Sequence, residues 1–91
     1  MALELLTTTA FEKDLRRVNK QGKDLDKLDT IVNTLQAEEQ LPPRCRQHPL
    51  RGNWAGHWDC HIEPDWLLLY KLTDKALILV RTGSHAELFG R

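Results

Sequence analysis

This chain's four histidines, His48, His57, His61 and His85, all fall in its second half, between positions 48 and 85. The densest stretch is GHWDCHIEPDW, residues 56–66, which sets His57, Asp59, His61, Glu63 and Asp65 beside the most apolar segment of the chain. Histidine's unperturbed pKa, about 6.5, lets it give or take a proton near neutrality. Arg51 lies just before this stretch, and Arg81 shortly before His85. The reaction that suits such a set is cleavage of RNA through its own 2′-hydroxyl. That hydroxyl needs a base, the departing 5′-oxygen needs an acid, and the crowded phosphate needs positive charge. Proton transfer by a positioned side chain contributes roughly 10²–10⁴ in rate. An arginine fork matches phosphate oxygens in pairs. A carboxylate beside an imidazole fixes its tautomer, and an aromatic ring such as Phe89 can stack on a base.

The elements that must position these groups can be read from period and punctuation. Leu3–Leu6 suits a first strand, and Thr8 or Thr9 can cap a helix with Glu12 in its early turn. Phe11, Leu15 and Val18 mark one face of a helix over about 9–20, which Gln21-Gly22 stops. Leu25, Leu28, Val32 and Leu35, flanked by Ile31, predict a second helix over about 24–39 that Pro42-Pro43 cannot continue. From Gln40 to Gly56 no period is evident, and the segment reads as an irregular loop anchored by Leu50 and Trp54. Trp58–Glu63 alternates, with Trp58, Cys60 and Ile62 on one face and Asp59, His61 and Glu63 on the other. A start one residue earlier adds His57 to the polar face. Pro64-Asp65 is a turn, and Trp66–Leu72 reads as a central strand covered on both sides. Ala76–Thr82 runs back antiparallel to it, and SHAELFGR forms a short tail. The expected fold is a single small α+β domain over 1–91, an N-terminal strand and a two-helix hairpin packed on an antiparallel β-sheet.

Composition narrows the function classes. Lysine plus arginine and aspartate plus glutamate each total 13, so the formal charge is zero and a strongly basic, nonspecific nucleic-acid binder is disfavoured. The charge is unevenly spread. Residues 13–27 carry six bases against three acids, and Arg44, Arg46 and Arg51 stand without acids between them. No signal peptide and no run long enough to span a bilayer is visible, and Cys45 and Cys60 lack a metal-knuckle or disulfide spacing. A cytoplasmic protein with reduced thiols and no membrane partner is expected.

Residues 48–90, HPLRGNWAGHWDCHIEPDWLLLYKLTDKALILVRTGSHAELFG, resemble the C-terminal half of the YafQ branch of the RelE/ParE toxin superfamily. The pattern HPL-x-G-x-W, then H-I-x-P-D-W-L-L-L-Y, then R-T-G-S-H and a terminal L-F-G is shared with unchanged spacing. The N-terminal half agrees in layout alone. The resemblance implies a RelE-like fold and a ribosome-dependent mRNA interferase that cuts the message in the ribosomal A site with no metal or other cofactor. It further implies a cognate antitoxin, and operator DNA bound only by the toxin–antitoxin complex. Carried over by motif, His48, His61, Asp65, Trp66, His85 and Phe89 fall on the family's active-site positions. His85 would be the proton donor, His61 or His48 the base or a phosphate contact, and Asp65 the group that orients an imidazole. Arg81 would hold the scissile phosphate, with Arg51 and Asp59 nearby, and Trp66 and Phe89 would position a base. Arg16, Arg17, Lys20, Lys23, Arg44 and Arg46 would face 16S rRNA of the 70S ribosome. His57 is expected to be solvent-exposed, and Trp54 and Trp58 to be packing residues.

Other readings compete. His57, Asp59 and His61 at alternate strand positions, completed by His48 or His85, could ligate a metal and activate water. A ParE-like toxin that poisons gyrase by binding would share the fold but have no use for three histidines together. An inactive chain that only binds an antitoxin is a third.

Overall fold

The computed structural model describes residues 2–90. Strand β1 (Glu4–Thr7) leads into helices α1 (Thr9–Lys20) and α2 (Leu25–Gln36). A 3-10 turn at Pro43–Cys45, a short strand β2 (His48–Pro49) and a second 3-10 turn at Gly52–Trp54 follow. Strands β3 (Trp58–Glu63), β4 (Trp66–Leu72) and β5 (Ala76–Gly83) complete the sheet, and α3 (His85–Phe89) closes the chain. The stretch expected to be irregular, Gln40–Gly56, thus holds a strand and two turns.

The sheet has five strands in the order β1-β5-β4-β3-β2. It is antiparallel except at one edge, where β1 runs parallel to β5 with Leu5 beside Leu77. The sheet is mostly antiparallel, as expected, and at that edge the helix hairpin is the crossover that a parallel pairing requires. Thr8 caps α1 by accepting from the Phe11 N–H. Helix α2 ends three residues earlier than its pattern suggested, because Glu38 turns into the left-handed region at φ 60° and brings Leu41 back to the core.

Strand β4 lies at the centre and its alternation splits between two cores. Trp66, Leu68 and Tyr70 face the helices and pack with Phe11, Val18 and Cys60. Leu67 and Leu69 face the other way, under Leu88 of α3, with Leu50, Trp54 and Phe89 against them. A strand buried on both sides has no polar face to show, which explains its nearly unbroken apolar run.

Beyond Thr7, strand β1 no longer covers β5, and α1 takes over that edge. Thr8 Oγ1 donates to the Val80 carbonyl at 2.7 Å, Arg17 Nη2 to the Thr82 carbonyl at 2.8 Å, and the Thr82 N–H donates to Asp14 Oδ2 at 3.2 Å. Side chains of one helix therefore satisfy backbone groups that an open edge would leave bare.

Candidate active site

The catalytic candidates gather on the sheet face away from the helix hairpin. Asp59 and His61 project there from β3, because Cys60 between them is buried against the helices. Strand β2 pairs antiparallel with β3 and sets His48 opposite Asp59. Helix α3 brings His85 and Phe89 across the far side. Its start is fixed by a capping box, in which Ser84 accepts from the Glu87 N–H and the Glu87 carboxylate accepts from the Ser84 N–H. These residues enclose a cleft of about 350 Å³, with Leu50 and Trp54 as its apolar wall and Arg51 on its rim.

Two carboxylate–imidazole pairs present His85 and His48 to the cleft. Asp65 Oδ1, in the β3–β4 turn, accepts from His85 Nδ1 at 2.6 Å and from the His85 backbone N–H at 2.9 Å. Those two bonds hold the Asp65 carboxyl below its ordinary range, and they leave His85 Nε2 as the free ring nitrogen. The second pair is looser. His48 Nδ1 donates to the Arg46 carbonyl at 2.7 Å, and its Nε2 lies 3.6 Å from Asp59 Oδ2. Asp59 is buried and its Oδ1 has no hydrogen-bond partner. Burial pushes its pKa up, against the pull of His48, His61 and His85.

His61 sits between the pairs, its ring centroid 5.5 Å from that of His85 and the rings at 72°. Burial pushes the His61 pKa down; Asp59 opposes this, while His85, Arg46 and His48 add to it. That burial favours the neutral form of the His61 ring.

Asp59 carries a cost that can be measured. A carboxyl whose pKa is raised on folding favours the folded state below its unfolded pKa, and that contribution is lost as pH rises through the folded value. Asp59→Asn is therefore expected to raise Tm at pH 7, on the order of 2–5 °C, with the gain vanishing below about pH 4. Thermal unfolding of both proteins across pH checks this; a gain that is largest in acid overturns it.

Several residues are not where the sequence suggested. Trp66 was expected to touch a base, but it is fully buried on the helix side of the sheet, where its Nε1–H donates to Thr82 Oγ1 at 2.9 Å. Arg81 was expected on the scissile phosphate. Instead its Nε and Nη2 both donate to the Asp14 carboxylate, and it takes no part in lining the cleft. His57 is half-buried, its Nδ1 3.1 Å from the Trp54 carbonyl oxygen and its ring edge-on to the Trp54 indole. Being outside β3 and turned toward Trp54, it does not join Asp59 and His61 as a metal face. Glu63 leaves the polar face as well. A bulge between His61 and Glu63 turns it to the helix side, where it pairs with Lys27 at 2.8 Å and Lys23 at 3.8 Å. Among the residues expected to face rRNA, Arg17 is tied to Asp14 and Glu87 yet lines, with Lys13, Arg16 and Lys20, a shallow surface hollow.

Sequence reasoning passed over Trp54 and Leu50 as cleft residues. Their place in the HPL-x-G-x-W motif, directly after His48, was the available signal. Among the described residues, no three His, Cys, Asp or Glu side chains are placed to hold a metal ion.

The family model described as the bacterial toxin of type II toxin–antitoxin systems, YafQ, matches residues 3–90. The mRNA interferase toxin YafQ of Escherichia coli K12 is 47% identical over 85 residues, covering 88% of each chain. The crystal structure of the E. coli DinJ–YafQ toxin–antitoxin complex superposes with a TM-score of 0.91 at 42% identity, over 99% of this chain and 100% of that one. A metal-bound toxin from Helicobacter pylori gives 0.90 at 42% identity, over 96% and 99%. With nearly its full length matched by both the family model and solved structures, the chain belongs to the YafQ family of type II toxin–antitoxin toxins.

Proposed function

We propose that this toxin is an mRNA interferase that cuts messages in the ribosomal A site by acid–base catalysis and without a metal. The observation that carries the reading is the His61–His85 pair, 5.5 Å apart in one cleft but in different surroundings. His61, kept neutral, takes the proton of the 2′-hydroxyl. The 2′-oxygen bonds to phosphorus, the bond from phosphorus to the 5′-oxygen breaks, and His85 in its imidazolium form gives that oxygen a proton. The products are a 2′,3′-cyclic phosphate and a 5′-hydroxyl end, with one proton moved from His85 to product and one gained by His61. Asp65 holds the His85 ring so that Nε2 is the atom that donates. His48 Nε2, tethered near Asp59, contacts a phosphate oxygen, and Arg51 on the cleft rim supplies the positive charge for which Arg81 is not free. Arg16 and Lys20 serve the rRNA contact, with Arg17 and Lys23 partly engaged by the carboxylates they pair with.

The E. coli relative was crystallised with DinJ, which supports a cognate antitoxin of that kind as the partner that silences this toxin. The joint complex, not the free toxin, would bind operator DNA. A cytoplasmic setting follows from this substrate; no helix of the described residues is long and apolar enough to cross a membrane.

The test is the chemistry of the ends. A message bound to 70S ribosomes should be cut to cyclic-phosphate and 5′-hydroxyl ends, and a single 2′-deoxy substitution just upstream of the cut should abolish cleavage. Ends bearing a 3′-hydroxyl and 5′-phosphate would show that water is the nucleophile and would restore the metal-dependent alternative. Gyrase inhibition with an intact message would favour the ParE-like one.

A further inference from the structure

We infer that the message crosses this site in one direction, its 5′ side in a groove walled by Arg44 and Arg46 and its 3′-side base in the corner between Trp54 and Phe89. The inference rests on the assignment of His61 as base and His85 as acid. Two cavities meet at His61. One is the cleft already described, and the other, of about 370 Å³, is also bordered by His61 and is walled by Arg44, Arg46 and the residues from Ile62 to Pro64. His85 borders the first cavity and not the second.

In cleavage by an internal 2′-hydroxyl, the base serves the ribose upstream of the scissile phosphate and the acid serves the 5′-oxygen of the nucleotide downstream. The side on which each imidazole lies therefore sets the direction of the strand. The second cavity opens from the base alone, so the strand leaving it belongs to the 5′ side. Phe89 shares α3 with the acid, so the base stacked there belongs to the 3′ side.

Each end suits what it would receive. Arg44 sits in the 3-10 turn begun by Pro43, and Arg46 follows it in the left-handed region at φ 48°, pinned through its carbonyl by His48 Nδ1. Among the described residues neither guanidinium has a carboxylate within 4.0 Å. Glu63, the one acid on that wall, is already paired with Lys27 and Lys23. Free guanidinium groups recognise a phosphate whatever base it carries. At the other end, Trp54 and Phe89 stand edge to face, with centroids 6.3 Å apart at 89°, and both are half-buried. Such a corner presents ring surface on which a base can stack. The toxin should therefore read sequence chiefly at the nucleotide after the cut, and only charge before it.

The experiment uses ribosome-bound messages with one uncharged methylphosphonate linkage, placed one phosphate upstream or one downstream of the cut, and a further message with an abasic downstream nucleotide. For the wild type, the upstream neutral linkage should slow cleavage roughly tenfold, and the abasic site should do the same. The R44Q/R46Q double variant should already be slow and indifferent to the upstream linkage. Phe89→Leu, which keeps apolar volume beside Leu67 and Leu88, should be indifferent to the abasic site. If the arginine pair instead loses its sensitivity to the downstream linkage, the strand runs the other way and the inference falls. It falls equally if neither variant changes either sensitivity. A wild type that leaves the unmodified message intact would overturn the interferase reading itself, an outcome plain before any modified message is used.

Discussion

His85→Gln is expected to lower single-turnover cleavage of a ribosome-bound message by roughly 10²–10⁴, with unchanged Tm and unchanged binding of its antitoxin. Glutamine keeps the length and hydrogen-bonding reach of the side chain but cannot give up a proton. The backbone N–H of residue 85 would still donate to Asp65, and the Ser84–Glu87 capping box does not involve the imidazole, so α3 should stay in place. Asp65→Asn tests the same pair from the other side. It replaces the charged acceptor with a neutral amide oxygen that holds the Nδ1–H tautomer less firmly, so a smaller loss is expected, with rate falling and KM little changed. The pH profile separates acid from base. Because burial pushes the His61 pKa down, the acid limb of the wild-type profile should lie below the ordinary imidazole value of 6.5. Asp59→Asn removes the one neighbour that raises the His61 pKa and should move that limb lower still. An acid limb above 6.5, or an Asp59→Asn shift upward, would show that His61 is not the base. A His85→Gln variant with wild-type rate would remove the acid and the mechanism with it.

What the sequence could show of this site depended on the range of the interactions. Helix α1, strand β3 and strand β4 were legible because their signals are local: a 3.6-residue period, strict alternation, an apolar run between turns. The convergence of His48, His61 and His85 was legible through the spacing of a motif shared with a family, since no local period links residues so far apart. The misplacements have a common cause in contacts that cross the chain. Arg81 meets Asp14, 67 residues away, and nothing near Arg81 announces it. Strand parity places Trp66 with Leu68 and Tyr70 but cannot say which of two covered faces they share. Glu63 alternates with Asp59 and His61 in the sequence, and only the bulge after His61 sends it to the other side of the sheet. Asp14 itself was within reach: three residues after Phe11 and four before Val18, it falls on the buried stripe of α1, where a lone carboxylate calls for partners.

That carboxylate underlies a large expected effect on stability. Asp14 accepts from Arg81 Nη2 at 3.1 Å, from Arg17 Nη1 at 2.7 Å and from the Thr82 N–H at 3.2 Å, while also bonding Arg81 Nε. Asp14→Ala would leave two guanidinium groups without their counter-charge and an N–H of the sheet edge without an acceptor. Removing one partner of a buried ion pair costs about 3–5 kcal/mol. Arg81 and Arg17 keep 28% and 34% of their side chains exposed, so water replaces part of what is lost and the cost falls to about 2–3 kcal/mol. For a domain of this size that is a fall in Tm on the order of 10–20 °C. The pH dependence fixes the cause. Burial alone would raise the Asp14 pKa, but the hydrogen bonds from Arg81, Arg17 and Thr82 outweigh it and hold the value below 3.8. A carboxyl with a depressed folded pKa contributes stability above its unfolded value, and that contribution disappears as pH falls through the folded one. The gap in Tm between wild type and Asp14→Ala should therefore be constant near neutrality and close below about pH 4. Asp14→Asn, which can still accept from Thr82 but carries no charge, should fall between the two. A gap that persists undiminished in acid would mean that α1 is held against β5 by its apolar face, with the ion pairs contributing nothing.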